Sequence, residues 1–323
     1  MTEGNGRGAR RPDVAVVGEL NPDLIAYGVP REIPEEREIL ATGFTFTLGS
    51  SSAIFAHNLS LLGNRVLFSS KIGPDPLGEM CCEIMRNARV DLSGVVRTTN
   101  GAATGVTLIL PLETTRRCLT YPGTMEEMGI EDLDLDRIST ARHFHLSSYF
   151  LQRKLIPDTP ELFREMKRRG LTTSLDTNDD PSGKWDGVVE NVLPFVDVLF
   201  CTETELEKLA RCKNFGAEKI AAHVPLLVVK HGAVGASAYT NRRSVHAKAL
   251  KLELVDAVGA GDTFDAGFLH QWLRGAALET CLGYGNLTGG LSVTRPGGVQ
   301  AFCDVAYRQE FFARHWVNGK LVL

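Results

Sequence analysis

Six short apolar runs rich in β-branched residues punctuate the chain, at 14–18 (VAVVG), 65–73, 142–148, 171–178, 196–201 and 225–232. Their apolarity is continuous rather than alternating, the pattern of strands covered on both faces. Helical patterns lie between several of them. Residues 51–63 read as a helix closed by Gly63. Residues 159–170 read as one with an acidic first turn, a basic last turn and Gly170 as its cap, and residues 202–212 as one opened by Thr202. This alternation predicts an α/β architecture, a doubly wound, mostly parallel sheet flanked by helices, with ligands met at the carboxyl ends of its strands.

Two stretches depart from that pattern. Residues 43–49 alternate, with Phe44, Phe46 and Leu48 on one face and Thr45 and Thr47 on the other, and residues 105–121 read as two alternating strands around the polar ETTRR. Such antiparallel strands have an apolar face that a small sheet cannot leave bare, so they must cover a substrate, the main domain or another subunit. Composition narrows the function classes. The net charge of −4 argues against nucleic acid or an anionic membrane surface as partner. No apolar run approaches the roughly 20 residues that span a bilayer. The first dozen residues lack an apolar leader segment and are expected to form a flexible tail over 1–12, which leaves 13–323 as a single domain. Seven cysteines, none in a C-x-x-C pair, fit reduced thiols in a cytoplasmic protein.

The stretch 256–268 (DAVGAGDTFDAGF) carries the sharpest chemical signal. Phe264, Phe268, Leu269 and Trp272 share one helical face and Gly275 is placed to end that helix. Its first turn then lies near Asp262 and Thr263, with free amides pointing toward Gly259, Ala260 and Gly261. A helix N-terminus behind small residues is an anion site. Asp262 is either an N-cap or a carboxylate placed beside that anion for a purpose.

This stretch resembles the C-terminal signature of the ribokinase-like (PfkB) carbohydrate kinases, D-T-x-G-A-G-D-x-F. Other stretches follow the family's order: 16–25 its opening strand with a substrate-binding aspartate, 48–63 its Gly-Gly loop and helix, 71–79 its G-x-D-x-x-G turn, 228–236 its K-x-G-x-x-G hairpin and 292–298 its late Gly-containing loop. The resemblance spans about residues 14 to 300. It implies a ribokinase-like fold with a discontinuous β lid from about 23–48 and 100–122, and an ATP-dependent kinase acting on a hydroxyl of a sugar or sugar derivative.

In that reading Asp262 is the general base, and the amides of Gly259, Ala260 and Gly261 form the anion hole. Asn21, Asp23, Gly49 and Ser50 line the acceptor side. Asp176, Asn178, Lys230, Gly232 and Asn286 belong to the nucleotide side. Glu205 approaches Mg2+ through water, a monovalent cation such as K+ sits near Asp256, and the lid pairs two copies as a homodimer. Several of these residues also have a plainer structural reading: an Asx-turn for Asp23, an N-cap at Gly49-Ser50, an acidic first turn for Glu205, a core position for Asn286. His143 and His145 read as structural. Four residues depart from the family pattern: Ala257 replaces a Thr, Ser50 a Gly, Ile54 an Asn, and Thr202 the Asn of N-x-x-E. A nucleoside kinase on the same scaffold, or a non-catalytic sugar- or nucleotide-sensing relative, are the alternatives. A nicotinamide-dependent dehydrogenase is disfavoured, because no G-x-G-x-x-G follows the first strand.

Overall fold

A computed structural model describes residues 11–112, 115–185, 189–212 and 217–323. Its larger sheet contains β1 (Val14–Val17), β4 (Val66–Ile72), β5 (Asp91–Arg97), β8 (His143–Leu146), β9 (Thr172–Asp176), β10 (Val198–Thr202), β11 (Leu226–Lys230), β12 (Gly235–Tyr239) and β13 (Ser244–Lys248). Their order is β13-β12-β11-β10-β9-β8-β1-β4-β5. The pairings from β5 to β11 are parallel, and β12 and β13 add an antiparallel edge. Both faces are covered, which explains the unbroken apolar runs. Val14 and Val16 join one core with Phe55, Phe68, Phe200 and Phe268, while Ala15 and Val17 join the opposite core with Phe144 and Phe163.

The buried histidines belong to this sheet. His143 shares hydrogen bonds with the hydroxyls of Thr172 (2.8 Å) and Ser174 (2.7 Å), and His145 Nδ1 lies 2.7 Å from the same Ser174 Oγ. Burial holds both imidazoles well below their ordinary range, so they remain neutral structural groups.

The expected lid is a four-stranded sheet of β2 (Pro22–Tyr27), β3 (Gly43–Leu48), β6 (Val106–Pro111) and β7 (Arg116–Tyr121), in the order β3-β2-β6-β7. The outer pairs are antiparallel and β2 runs parallel to β6. Register divides its side chains cleanly. Leu24 lies opposite Phe46 and Leu108, and Leu108 opposite Leu119, so these share one face; Asp23, Thr107 and Thr120 share the other. Of the apolar face expected to cover a substrate, the main domain or another subunit, Leu48 is buried in the main core, while Phe44 and Phe46 point outward, 63% and 39% exposed, as does Leu119 at 71%. The hydroxyl-bearing face is the inner one. Most of the expected tail, residues 1–10, lies outside the described residues; Arg11 is held by the carbonyls of Thr140 and Ala141. Among the described residues no helix is long and apolar enough to cross a membrane.

Candidate active site

The helix Ala260–Trp272 starts where the sequence pattern places it, but its cap is Gly259, in the left-handed region at φ +69°. Asp262 is therefore the third helical residue and not the N-cap. A side chain at Gly259 would stand 2.7 Å from Gly298 Cα and 2.9 Å from Ile54 Cδ1, so the bend is tightly enclosed as well as left-handed. The Ala260 amide reaches the Ala257 carbonyl at 3.3 Å. The Gly261 and Asp262 amides belong to the turn in which no helical carbonyl precedes them.

This bend separates two cavities. The first, of about 590 Å³, opens between the carboxyl ends of the strands and the inner face of the lid. Asn21 and Ser50 line it from the loops after β1 and β3, Asp23, Thr107, Arg116 and Thr120 from the lid, and Gly259 and Asp262 from the bend. The second, of about 310 Å³, is largely apolar, with Leu250, Leu252, Phe264 and Val293 as its walls and Lys230 and Asn286 among its few polar residues. Ala257, Ala260 and Gly261 face this second cavity.

Asp262 is nearly buried, at 9% exposure, and burial pushes its carboxyl up to about 6, with the nearby charges of Asp176 and Glu19 adding to the rise against the pull of Lys230. Its carboxylate lies 3.5 Å from Asn178 Nδ2. Asp23 is raised further, to about 7, by burial first and then by the charge of Asp262. Gly49 packs directly against the Asp23 carboxylate, leaving no room for a side chain. Ser50 does cap the helix Ser51–Leu61: at φ +68° it donates to the Glu19 carbonyl at 2.5 Å and accepts from the Ala53 amide at 3.1 Å. Asn21 donates to the Pro22 carbonyl at 3.2 Å.

The residues expected on the nucleotide side divide. Lys230, Gly232 and Asn286 line the apolar cavity, whereas Asn178 lines the lid-covered one. Asp176 lines neither; it is buried against Lys230, whose Nζ also reaches Asp265, at 2.6 and 3.0 Å. Burial works against every charge in this triad. Lys230 nevertheless stays protonated and Asp176 ionised because they face each other, while the second carboxylate, Asp265, is driven well above its ordinary range. Asn286 donates to the carbonyls of Ala247 and Lys248, at 2.9 and 3.1 Å. Glu205 forms a capping box with Thr202: its carboxylate accepts from the Thr202 amide at 2.7 Å, and its own amide donates to Thr202 Oγ1 at 3.3 Å. It also lines the lid-covered cavity.

A family model described as pfkB family carbohydrate kinase matches residues 11–302. The chain belongs to that family. An ATP-dependent ribose-1-phosphate kinase of Halopiger xanaduensis is 31% identical over 256 residues, covering 78% of this chain and 82% of its own. A 5-dehydro-2-deoxygluconokinase of Listeria monocytogenes is 24% identical over 310 residues, covering 90% and 93%. The fold matches an E. coli protein provisionally designated ribokinase II and solved with ATP and Mg2+, at a TM-score of 0.80 and 22% identity, covering 94% of this chain and all of that one. The pfkB-family chain is thus a carbohydrate kinase, with the ribokinase-like α/β fold expected from its sequence.

Three residues of this kinase site escaped the sequence reading. Glu19, two residues before Asn21, is buried and accepts from the Ser52 hydroxyl at 2.7 Å. Asp265 lies one helical turn beyond Asp262, a spacing that marks a shared face. Arg116 was read as part of a polar turn, yet it opens β7 in phase with Thr120, and period-two counting places both on the inner face.

Proposed function

We propose that this kinase uses ATP with Mg2+ to phosphorylate a hydroxyl of a sugar or sugar derivative held beneath the β lid. One observation carries the reading: a buried carboxylate, Asp262, and the open amides of its own helical turn stand at the wall between a polar and an apolar cavity. The sugar occupies the larger cavity, where Asp23, near its midpoint of ionisation at neutral pH, can both donate to and accept from vicinal hydroxyls. Asp262 takes the proton of the attacking hydroxyl as general base. The amides of Gly259 and Gly261, with the helix behind them, stabilise charge on the transferring phosphoryl group; the Ala260 amide of the expected anion hole is already given to the Ala257 carbonyl. The adenine fits the apolar cavity beside Phe264, with Asn286 and Lys230 at its polar edge.

Mg2+ would supply charge neutralisation on the phosphates. Among the described residues no cluster of three or more His, Cys, Asp or Glu could hold a metal ion, so it would arrive with the nucleotide and meet Glu205 through water, as a reluctantly dehydrated ion prefers. A monovalent cation finds less at Asp256, whose oxygens already accept from the Val258 and Gly297 amides at 2.9 Å and from the Tyr27 hydroxyl at 3.0 Å. We assign the outward apolar face of the lid, with Phe44, Phe46, Leu119 and Tyr121, to a second copy of this chain. ADP release measured over pentoses, hexoses, keto-acid sugars and nucleosides tests the reading. Turnover on a sugar is expected; turnover on nucleosides alone would make it a nucleoside kinase, and ligand binding with no ADP release on any acceptor would refute it.

A further inference from the structure

The lid-covered cavity has an uneven charge distribution. Glu19, Asp23, Asp179, Glu205 and Asp262 all line it, and Arg116 is the one cation among its described lining residues. A neutral sugar can be held by hydrogen bonds alone and brings no charge for a guanidinium kept beside this acidic wall to meet. An acceptor that carries an anion would be repelled by these carboxylates unless a cation met it.

Arg116 is placed to be that cation. It opens β7, and its phase with Cys118 and Thr120 directs it toward the inner face, while the neighbouring Arg117 falls on the outer face opposite Leu110. Among the described residues it forms no ion pair, unlike the cations Lys71 and Lys230, each matched to a carboxylate nearby. Its charge opposes the rise of the nearby Cys118 thiol, and its five N–H donors are left for solvent or ligand. A planar guanidinium offers two parallel donors to a carboxylate or a phosphate, a geometry an ammonium cannot reproduce.

We propose that Arg116 selects an acceptor sugar that already bears an anionic group, a phosphate monoester or a carboxylate, bound at the lid side of the cavity while a separate hydroxyl faces Asp262. This rests on the kinase reading above and names its substrate class. The plainer role for Arg116 is to temper the Asp23 carboxyl, whose rise it opposes. The two roles separate in kinetics, because tempering Asp23 acts on any sugar, charged or neutral.

The test uses the full chain with ATP and four acceptors: ribose 1-phosphate, gluconate, ribose and glucose. An anionic acceptor is expected to give the highest kcat/KM, and comparing the first two arms identifies phosphate or carboxylate as the group bound. Arg116→Gln is expected to raise KM for that acceptor by about tenfold to a hundredfold, the weight of a charge-assisted pair, and to change the neutral sugars by less than about threefold. Arg116→Lys keeps the charge but not the fork, and is expected to recover only part of the loss. Preference for ribose or glucose, or equal losses on charged and neutral acceptors in Arg116→Gln, would overturn the proposal and leave the kinase standing. ADP release with none of the four, nor with the wider sugar panel, would overturn the kinase reading and this inference with it.

Discussion

Replacing Asp262 by Asn keeps the shape of the side chain and removes both its charge and its capacity to accept a proton. Burial raises this carboxyl to about 6, so it is about nine-tenths ionised at pH 7 and about one-tenth ionised at pH 5. Wild-type kcat, measured as ADP release under saturating substrates, should therefore fall about tenfold per pH unit below that midpoint. The Asp262→Asn variant has no base to titrate. Its kcat should be lower by about a hundredfold to ten-thousandfold at pH 7, with the acidic limb absent and nucleotide affinity retained.

Stability should move the other way. A folded-state carboxyl raised above its unfolded value of 3.8 contributes stability that is full below that value and lost as pH rises through about 6. At neutral pH the ionised Asp262 thus costs the fold up to about 3 kcal/mol, and Asp262→Asn should recover part of it in urea unfolding near pH 8 but not near pH 4. A variant keeping more than about a tenth of wild-type kcat, or keeping the acidic limb, would refute the assignment of Asp262 as base. Loss of activity with no gain in stability near pH 8 would refute the burial argument behind its pKa.

Three further perturbations probe the surroundings. Gly49→Ala would drive a methyl into the Asp23 carboxylate, so KM for the sugar should rise by about tenfold or more while KM for ATP stays within about threefold; equal changes in both would count against Asp23 as a sugar ligand. Lys230→Met leaves Asp176 and Asp265 buried without their cation, and should destabilise the fold by about 3 to 5 kcal/mol in urea unfolding. Phe46→Arg places a charge on the outward lid face, and sedimentation should show a dimer for the wild type and a monomer for the variant; a wild-type monomer would remove the second copy from the lid.

The sequence revealed the layered sheet because strands covered on both faces announce themselves by unbroken apolarity, as Val14 to Val17 do. It revealed the bend at 259–261 because left-handed, tightly enclosed backbone selects glycine. Alternation over 43–48 correctly grouped Phe44 with Phe46 and Thr45 with Thr47, but period two says which residues share a face and not which face looks inward. That sign depends on where the lid sits over the main sheet, a tertiary fact. The Asp176–Lys230–Asp265 triad was hidden for a related reason. Lys230 and Asp265 stand 35 residues apart, and only packing of the helix against β11 joins them. Arg116 was concealed by its company: in ETTRR it looks like hairpin-turn polarity until the register of β7 separates it from Arg117.

The four departures from the family pattern acquire distinct meanings once placed. Thr202 caps its helix reciprocally with Glu205, so the lost Asn costs no local structure. Ser50 tolerates a positive φ because its hydroxyl is held at both ends, by the Glu19 carbonyl and the Ala53 amide. Ala257 faces the apolar cavity, where a methyl suits its neighbours. Ile54 differs from these three. It packs against Gly259 and Gly298, so it firms the bend that carries the open amides, but it also lines the sugar cavity where the resemblance calls for an amide. A polar partner for the acceptor is thereby missing near the floor, while the lid contributes a guanidinium. An acceptor matched to this cavity relies less on one hydroxyl near Ile54 and more on a charge near Arg116. Substrate choice in this kinase is then decided at the lid, and the chemistry at the bend is left unchanged.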